Sequence, residues 1–472
     1  MNMLENTTFE ELELNQTAIV ERTLTKEDIQ AFALVTGDIN PAHVDEQFAQ
    51  TDIFHEVIGH GMWGGALISM VLGTHLPGPG TIYLSQDLRF LKPIKLGDTV
   101  TISLTVIEKI TKHRHVIFEC ICKNQLGDIL TEGHARVIAP SEKIIRKETH
   151  LPKLKLIDAG EHSRNIIERA RSLGRRIKVA VVHPCSEESL LGAFEAKEKE
   201  LVTPVIIGPL QRLKKLAGRL NINIDQLQCI DVKHSHAAAA KAVELAHLGE
   251  VDSIMKGSLH TDELMQAVLN RQFGLRTDKR VSHCFVMDIP SYGRPLIITD
   301  GAINLSPDLE AKRDIVQHAI DLAHALGVTN PKVALLAAVE TVSSKMQCTI
   351  DAAALCKMAD RQQIKGGVLD GPLAFDNAVS EHAAEIKGIK SEVAGLADIL
   401  MVPDLVSGNV LAKQLSYLSQ AKGAGIVLGA NVPIVLTSRA DDSLTRETSC
   451  ALAVLLSHYN EECQYAKNNL DA

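Results

Sequence analysis

The alternation of apolar and polar positions changes character near residue 145. Across residues 81–139 the period is two. In Val100-Thr101-Ile102-Ser103-Leu104-Thr105-Val106 every second side chain is apolar, as in a strand that buries one face. Val116, Phe118, Cys120 and Cys122 continue the pattern, and Asn124-Gln125-Leu126-Gly127-Asp128 has the composition of a turn before a further strand over 129–138. These segments predict an antiparallel meander. Upstream, the stretch from His60 to Leu72 carries almost no charge, which predicts a helix buried all round. A buried helix followed by antiparallel strands suggests a sheet wrapped around a helix.

The stretch after residue 139 is charged and contains Pro140 and Pro152. Residues 141–160 read as a linker between a first domain, 1–140, and a second, 161–472. Beyond it, continuous apolar runs alternate with amphipathic stretches: Lys178–Val182, Pro204–Ile207, Ser253–Met255, Pro295–Ile298, Val333–Leu336, Ile399–Val402 and Pro433–Leu436. Such runs predict a parallel sheet covered on both faces. The region is large enough for two lobes, one about 161–295 plus 432–472 and the other about 296–431. No short-period repeat is visible.

Composition narrows the function classes. With 45% hydrophobic and 23% charged residues in 472, the chain has material for more than one core, which argues against disorder. Forty-nine Lys+Arg against 58 Asp+Glu give a net charge of -9, with 3% aromatics. That combination lacks the basic face and stacking platform of a nucleic-acid binder. No apolar run approaches a membrane span, and the acidic opening MNMLENTTFEELELNQ has no apolar core of a secretory signal. The nine cysteines are scattered without CxxC spacing, so neither a disulfide framework nor structural zinc is expected, and the setting reads as reduced and cytoplasmic.

Gly37-Asp38-Ile39-Asn40-Pro41-Ala42-His43-Val44-Asp45 is the most informative segment of the first domain. Pro41 disfavours helix at Asn40, so this is a turn. It carries three proton-transfer groups: Asp38, His43 and Asp45. A carboxylate and an imidazole on one turn can hold a water between them for acid–base addition, worth ~100- to 10,000-fold per well-placed group. Asp, Asn, Pro and Gly are also ordinary turn residues, so a structural turn stays open. This motif, with Ile58-Gly59-His60-Gly61-Met62, Arg89-Phe90-Leu91-Lys92-Pro93 and Gly97-Asp98, resembles the MaoC-like (R)-specific enoyl-CoA hydratases over about residues 15–140. The resemblance implies a hot-dog fold, with Asp38 and His43 as the catalytic pair and the Gly61 N–H holding the thioester oxygen. Gly61 opens the apolar helix, where unpaired N–H groups and the dipole suit a developing enolate. Asn40 is expected to contact substrate. His60 receives no role, and Trp63 reads as core.

In the second domain, strand runs end in Met255-Lys256-Gly257-Ser258, Thr299-Asp300-Gly301-Ala302, Leu369-Asp370-Gly371-Pro372, Asp404 to Asn409 and Leu436 to Asp441. Each places backbone N–H groups at a helix start, a place for phosphate or simply a cap. No Walker or GxGxxG motif occupies such a position. Val251 to Gly257, Ala397 to Asp404 running on to Lys413, and Pro433 to Arg439 resemble the phosphate acetyl/butyryltransferases over about residues 165–460. That implies reversible exchange of CoA for phosphate on an acyl group. Arg439 would neutralise the phosphate with paired hydrogen bonds, and Ser438 would contact the reacting thiol or carbonyl. Lys256, Gly257, Asp300, Gly408 and Asn409 are the expected substrate-binding positions. Two departures stand out: Thr445 falls where the acetyltransferase branch has a catalytic Asp, and Gln266 where it has an Arg. Both point toward the butyryltransferase branch.

The expectation is therefore a multidomain α+β and α/β chain: a hot-dog hydratase fused to a two-lobed, doubly wound phosphate acyltransferase. Acyl-CoA, CoA and phosphate are its substrates, with no metal or redox cofactor and no nucleic-acid or membrane partner. Tethering raises the effective concentration of one site near the other. A single hot-dog unit needs a partner to cover its sheet, so a homodimer or larger assembly is expected. The alternatives are a second domain that senses acyl-CoA without turnover, and a hot-dog thioesterase in place of the hydratase.

Overall fold

The computed structural model describes residues 3–147, 149, 158–436 and 441–470, with side chains to 466. The chain divides into two compact units, Met1–Leu156 and Ile157–Ala472.

The first unit contains strands β1 (Met3–Glu5), β2 (Thr17–Thr23), β3 (Ile82–Phe90), β4 (Thr99–Ile110), β5 (His115–Lys123), β6 (Ile129–Ile138) and β7 (Ile145–Lys147). Five form an antiparallel sheet in the order β2-β4-β5-β6-β3. The period-two pattern sets its register. Ile102 faces Cys122 and Leu104 faces Cys120 across β4 and β5, and all four are fully buried. Helices α1 (Lys26–Thr36), α2 (Pro41–Val44), α3 (Glu46–Thr51) and α4 (Gly61–Thr74) lie between β2 and β3 in sequence. From α4, Trp63, Ile68, Val71 and Leu72 join the sheet's buried face in one core.

Two expectations need correction here. Helix α4 is not buried all round: Met62, Ala66, Ser69 and Gly73 form an exposed stripe at helical spacing, because one sheet covers only one side of a helix. The linker also starts later than its composition suggests. β7 pairs with β1, and Asn6 binds the backbone of Glu142 and Ile144 at 2.9 Å each, so the chain through Lys147 belongs to the first unit.

The second unit is built on one eleven-stranded sheet. Its strands are β8 (Ile177–Val182), β9 (Val202–Gly208), β10 (Gln228–Asp231), β11 (Ser253–Lys256), β12 (Ser282–Asp288), β13 (Leu296–Thr299), β14 (Lys332–Leu336), β15 (Val368–Leu373), β16 (Ile399–Met401), β17 (Lys422–Leu428) and β18 (Ile434–Val435). The order is β10-β9-β8-β11-β18-β17-β12-β13-β16-β14-β15. Helices cover both faces. Ile315 and Ala319 of Leu309–Ala325 and Leu452 of Ser443–Leu470 share one core with Val179 and Val181, while Ala242 and Leu264 share another with Ala180 and Val182.

The sheet is not parallel throughout. β12 runs antiparallel to both neighbours, and β17 is antiparallel to β18. The five strands from β10 to β18 therefore point one way and the four from β13 to β15 the other. One continuous rung, Met255–Val435–Ile426–Cys284–Thr299–Met401, crosses the junction. β18, β13 and β16 end on it, and β11 ends one residue later. Both parallel halves thus stop at one line in mid-sheet, the kind of switch point outside which α/β proteins bind ligands. The expected lobe boundary at 295 separates β12 from β13 and β17, which flank it. Leu369-Asp370-Gly371-Pro372, read as a strand-end junction, lies inside β15.

Candidate active sites

In the first unit, α1 is capped by Thr25 and ends at Gly37, whose φ of 76° turns the chain into the 38–60 loop. There Asn40 caps α2, its Oδ1 accepting from the Ala42 N–H at 3.2 Å, with Pro41 in the first helical position. The Asn40 N–H donates to Asp38 Oδ1 at 3.3 Å. Asn40 thus orients the carboxylate through its backbone, and its side chain is engaged in the cap. Asp45 caps α3, accepting from Gln47 and Phe48 at 2.9 and 3.0 Å, which leaves Asp38 and His43 as the proton-transfer groups of the loop.

His43 Nδ1 lies 2.9 Å from the Ile58 carbonyl oxygen. A carbonyl only accepts, so Nδ1 carries the hydrogen and Nε2 presents a lone pair. His60, 2% exposed, donates from Nε2 to the Asp38 carbonyl at 3.0 Å, and its ring lies 4.0 Å from that of His43. Its Nδ1 is buried with no partner. One potential ligand atom from each of Asp38, His43 and His60 lies within 4.8 Å of the others, close enough for a metal ion to bridge; the two carbonyl contacts already use one nitrogen of each ring. Gly61 opens α4 directly after His60, and no side chain caps that helix. A Cβ at Gly61 would sit 3.2 Å from the Phe90 ring, so glycine leaves the helix start approachable. Asp38, His43 and the Gly61 N–H are therefore joined through His60, the one member the sequence left without a role. Its Gly-His-Gly setting at the start of an apolar helix was the only signal.

In the second unit a cleft of about 480 Å³ opens on the switch-point rung, lined by Lys256, His260 and Thr261, by His283 and Phe285 of β12, and by Asn409. The expected substrate positions divide in use. Lys256 lines the cleft, and its Nζ donates to the carbonyls of Gly257 and Leu259 at 3.3 and 3.4 Å. A Cβ at Gly257 would lie 2.2 Å from the Val182 oxygen, so this glycine serves close packing of β11 on β8. Asp300 is 2% exposed, and its carboxylate accepts from the N–H groups of Ala302, Ile303 and Asn304 and from Asn304 Nδ2. It shapes its own loop. A Cβ at Gly408 would come within 2.6 Å of the Asp300 oxygen, and Asn409 Nδ2 donates to the Gly301 oxygen at 3.2 Å. Together they seat the helix Leu405–Leu418 on that loop. His283 was not singled out by sequence. Burial pushes its imidazole down to about 4, against the opposing pull of Asp300, so it is neutral near pH 7. Ser438 and Arg439 lie outside the described residues.

Two family models match the chain: MaoC like domain over residues 9–120, and phosphate acetyl/butaryl transferase over 233–454. A phosphate acetyltransferase of Rhizobium meliloti is 56% identical over 301 residues, 64% of this chain and 95% of the relative. The chain belongs to the phosphate acetyl/butyryl transferase family and carries a MaoC-like domain ahead of it. A phosphate butyryltransferase of Clostridium acetobutylicum is 43% identical over 279 residues, 59% of this chain and 93% of the relative. Among solved structures, a branched-chain phosphotransacylase from Enterococcus faecalis V583 superposes with a TM-score of 0.54 at 28% identity, covering 60% of this chain and 99% of that one. Within the transferase family, this acetyltransferase is the more similar of the two relatives, so Gln266 and Thr445 do not assign the chain to the butyryl branch. Gln266 is exposed on the helix Thr261–Val268, and Thr445 is buried beside the cleft. No described helix is long and apolar enough to cross a membrane.

Proposed function

We propose that the chain is a bifunctional, cytoplasmic acyl-CoA enzyme. The MaoC-like unit hydrates trans-2-enoyl-CoA to (R)-3-hydroxyacyl-CoA, and the transferase unit moves an acyl group reversibly between CoA and phosphate. The observation that carries the first half is the grouping of Asp38, His43 and His60 just before α4, with one ligand atom of each within 4.8 Å of the others and His43 Nδ1 turned to the Ile58 carbonyl. A water held by Asp38 and His43 loses a proton as its oxygen attacks C3. The double-bond electrons move onto the thioester oxygen, where the Gly61 N–H stabilises the enolate, and the pair returns a proton to C2. In the second half a phosphate oxygen attacks the thioester carbon and the C–S bond breaks, releasing CoA thiolate. As the family resemblance implies, Arg439 neutralises the phosphate and Ser438 contacts the reacting carbonyl or thiol. Neither half calls on a metal or redox group. A second copy of the chain covers the exposed stripe of α4, giving a homodimer or larger assembly.

A two-arm assay of purified protein tests this. Crotonyl-CoA should lose its enoyl absorbance while the thioester survives, and Asp38→Asn should slow that loss by at least about 100-fold. Release of free CoA without phosphate would instead indicate a thioesterase, and an unimpaired Asp38→Asn removes the assignment. With acetyl-CoA, CoA release should require phosphate and be lost in Arg439→Ala. Tight acyl-CoA binding without release would mark the second unit as a sensor.

A further inference from the structure

The transferase cleft has two arms. Beside the arm lined by Lys256, His260 and Thr261 lies a second of about 330 Å³, lined by Ser416, Tyr417, Ala421, Thr445 and the Lys422–Asp442 ion pair. Phe285, Lys413, Gly423 and Asp441 line both. Of these four, Phe285 alone presents a bulky apolar group to the junction.

Its ring is held from three sides. On β17 it faces Gly425, which contributes no side chain. Its edge meets the His283 imidazole, with centroids 4.3 Å apart and planes at 72°. Beneath it, a Cβ at Gly301 would lie 2.6 and 2.7 Å from two ring carbons, so the ring fills the space a side chain at 301 would need. Gly425 is equally confined: a Cβ there would lie 2.8 Å from the Leu436 oxygen and 3.0 Å from His283 Nε2. The junction is thus a floor of bare backbone from which one ring rises.

Phosphate and the CoA phosphates are anionic, and the first arm offers Lys256 and polar groups to them. The acyl tail is the apolar part of the substrate, and the one bulky apolar surface it meets at the junction is the Phe285 ring; beyond it lies the second arm, where Lys422 is paired with Asp442 at 2.6 Å. Resting on the acyl-transfer reading above, we infer that Phe285 sets the acyl-chain length accepted by the transferase: its ring closes the passage between the arms to tails longer than acetyl.

The test is kcat/KM for acetyl-, propionyl- and butyryl-CoA at saturating phosphate, in the full-length wild type and in Phe285→Leu, Phe285→Ala and Phe285→Trp. The butyryl-to-acetyl ratio should rise about tenfold or more in Phe285→Ala, take an intermediate value in Phe285→Leu, and fall below wild type in Phe285→Trp. A ratio that stays constant across active variants, or a loss equal at every chain length, overturns the inference while leaving acyl transfer standing. A wild type that releases no CoA with phosphate from any of the three thioesters overturns acyl transfer itself, and this inference with it.

Discussion

His43 and His60 use their two nitrogens differently. His43 spends Nδ1 on Ile58 and keeps Nε2 for a proton; His60 spends Nε2 on the Asp38 carbonyl and buries an unpartnered Nδ1. Leaving a buried polar atom unsatisfied costs about 1–3 kcal/mol, and here it accompanies a ring that touches one catalytic residue while tethering the backbone of the other. His60 is a positioning residue. Replacing it with Phe keeps a ring but removes the donor, and should lower hydration kcat by roughly 100-fold at most, with little change in KM. His60→Gln, which can still donate, should recover part of the loss. An equal effect of both variants on KM and kcat would indicate a general packing defect. Asp38 and His43 were legible because a short turn with a proline fixes them locally. Asp45 looked equivalent until its cap was seen. His60 was not legible, since its contact with Asp38 spans 22 positions of sequence.

At the level of elements, period-two strands were readable because burial on one face leaves its alternation in the chain. β12, Ser-His-Cys-Phe-Val-Met-Asp, and β17, Lys-Gly-Ala-Gly-Ile-Val-Leu, were not among the apolar runs. Their polar and glycine positions line a cleft, and a missing apolar side chain there reads as a loop. With those two strands unseen, the reversal of direction in mid-sheet could not be anticipated. Helix α4 erred the other way. Its lack of charge reads as complete burial, yet Met62 is 55% exposed, and on the edge strand β3 so are Ile82 at 56% and Leu84 at 45%. If a second copy covers that stripe, sedimentation at micromolar concentration should give a dimer or larger species, and Met62→Glu should shift it toward monomer. A wild-type monomer would rule the interface out.

Across the whole molecule, two neutral buried imidazoles tie stability to acid. Burial lowers His283 and His318 to about 4, with Asp300 opposing in the first case; at His318, Lys279 adds to the lowering and Asp314 opposes. His318 is held at Nδ1 by the Ser282 hydroxyl at 2.9 Å, with Nε2 unpartnered. An unfolded chain protonates these rings near 6.5, whereas the folded one resists until about 4. The unfolded state therefore binds more protons in that window, and stability falls as pH drops through it. Two units need not melt together, so the transition to follow is thermal loss of phosphate-dependent CoA release. Its midpoint should decline from pH 6.5 to 4, and His318→Phe, remote from the cleft, should make the decline shallower. An unchanged slope would show that carboxylates dominate the acid response.

The pairing of Phe285 with Gly425 carries a consequence for how this enzyme could diverge. Consecutive side chains of a pleated strand point to opposite sides, so whatever measures the tail is tied to a count of rungs and not to a surface connection. Lengthening the turns around the cleft would leave the gauge untouched. A single residue added within Lys422–Leu428 would shift its partner by one rung, setting a side chain opposite the ring where backbone now lies bare.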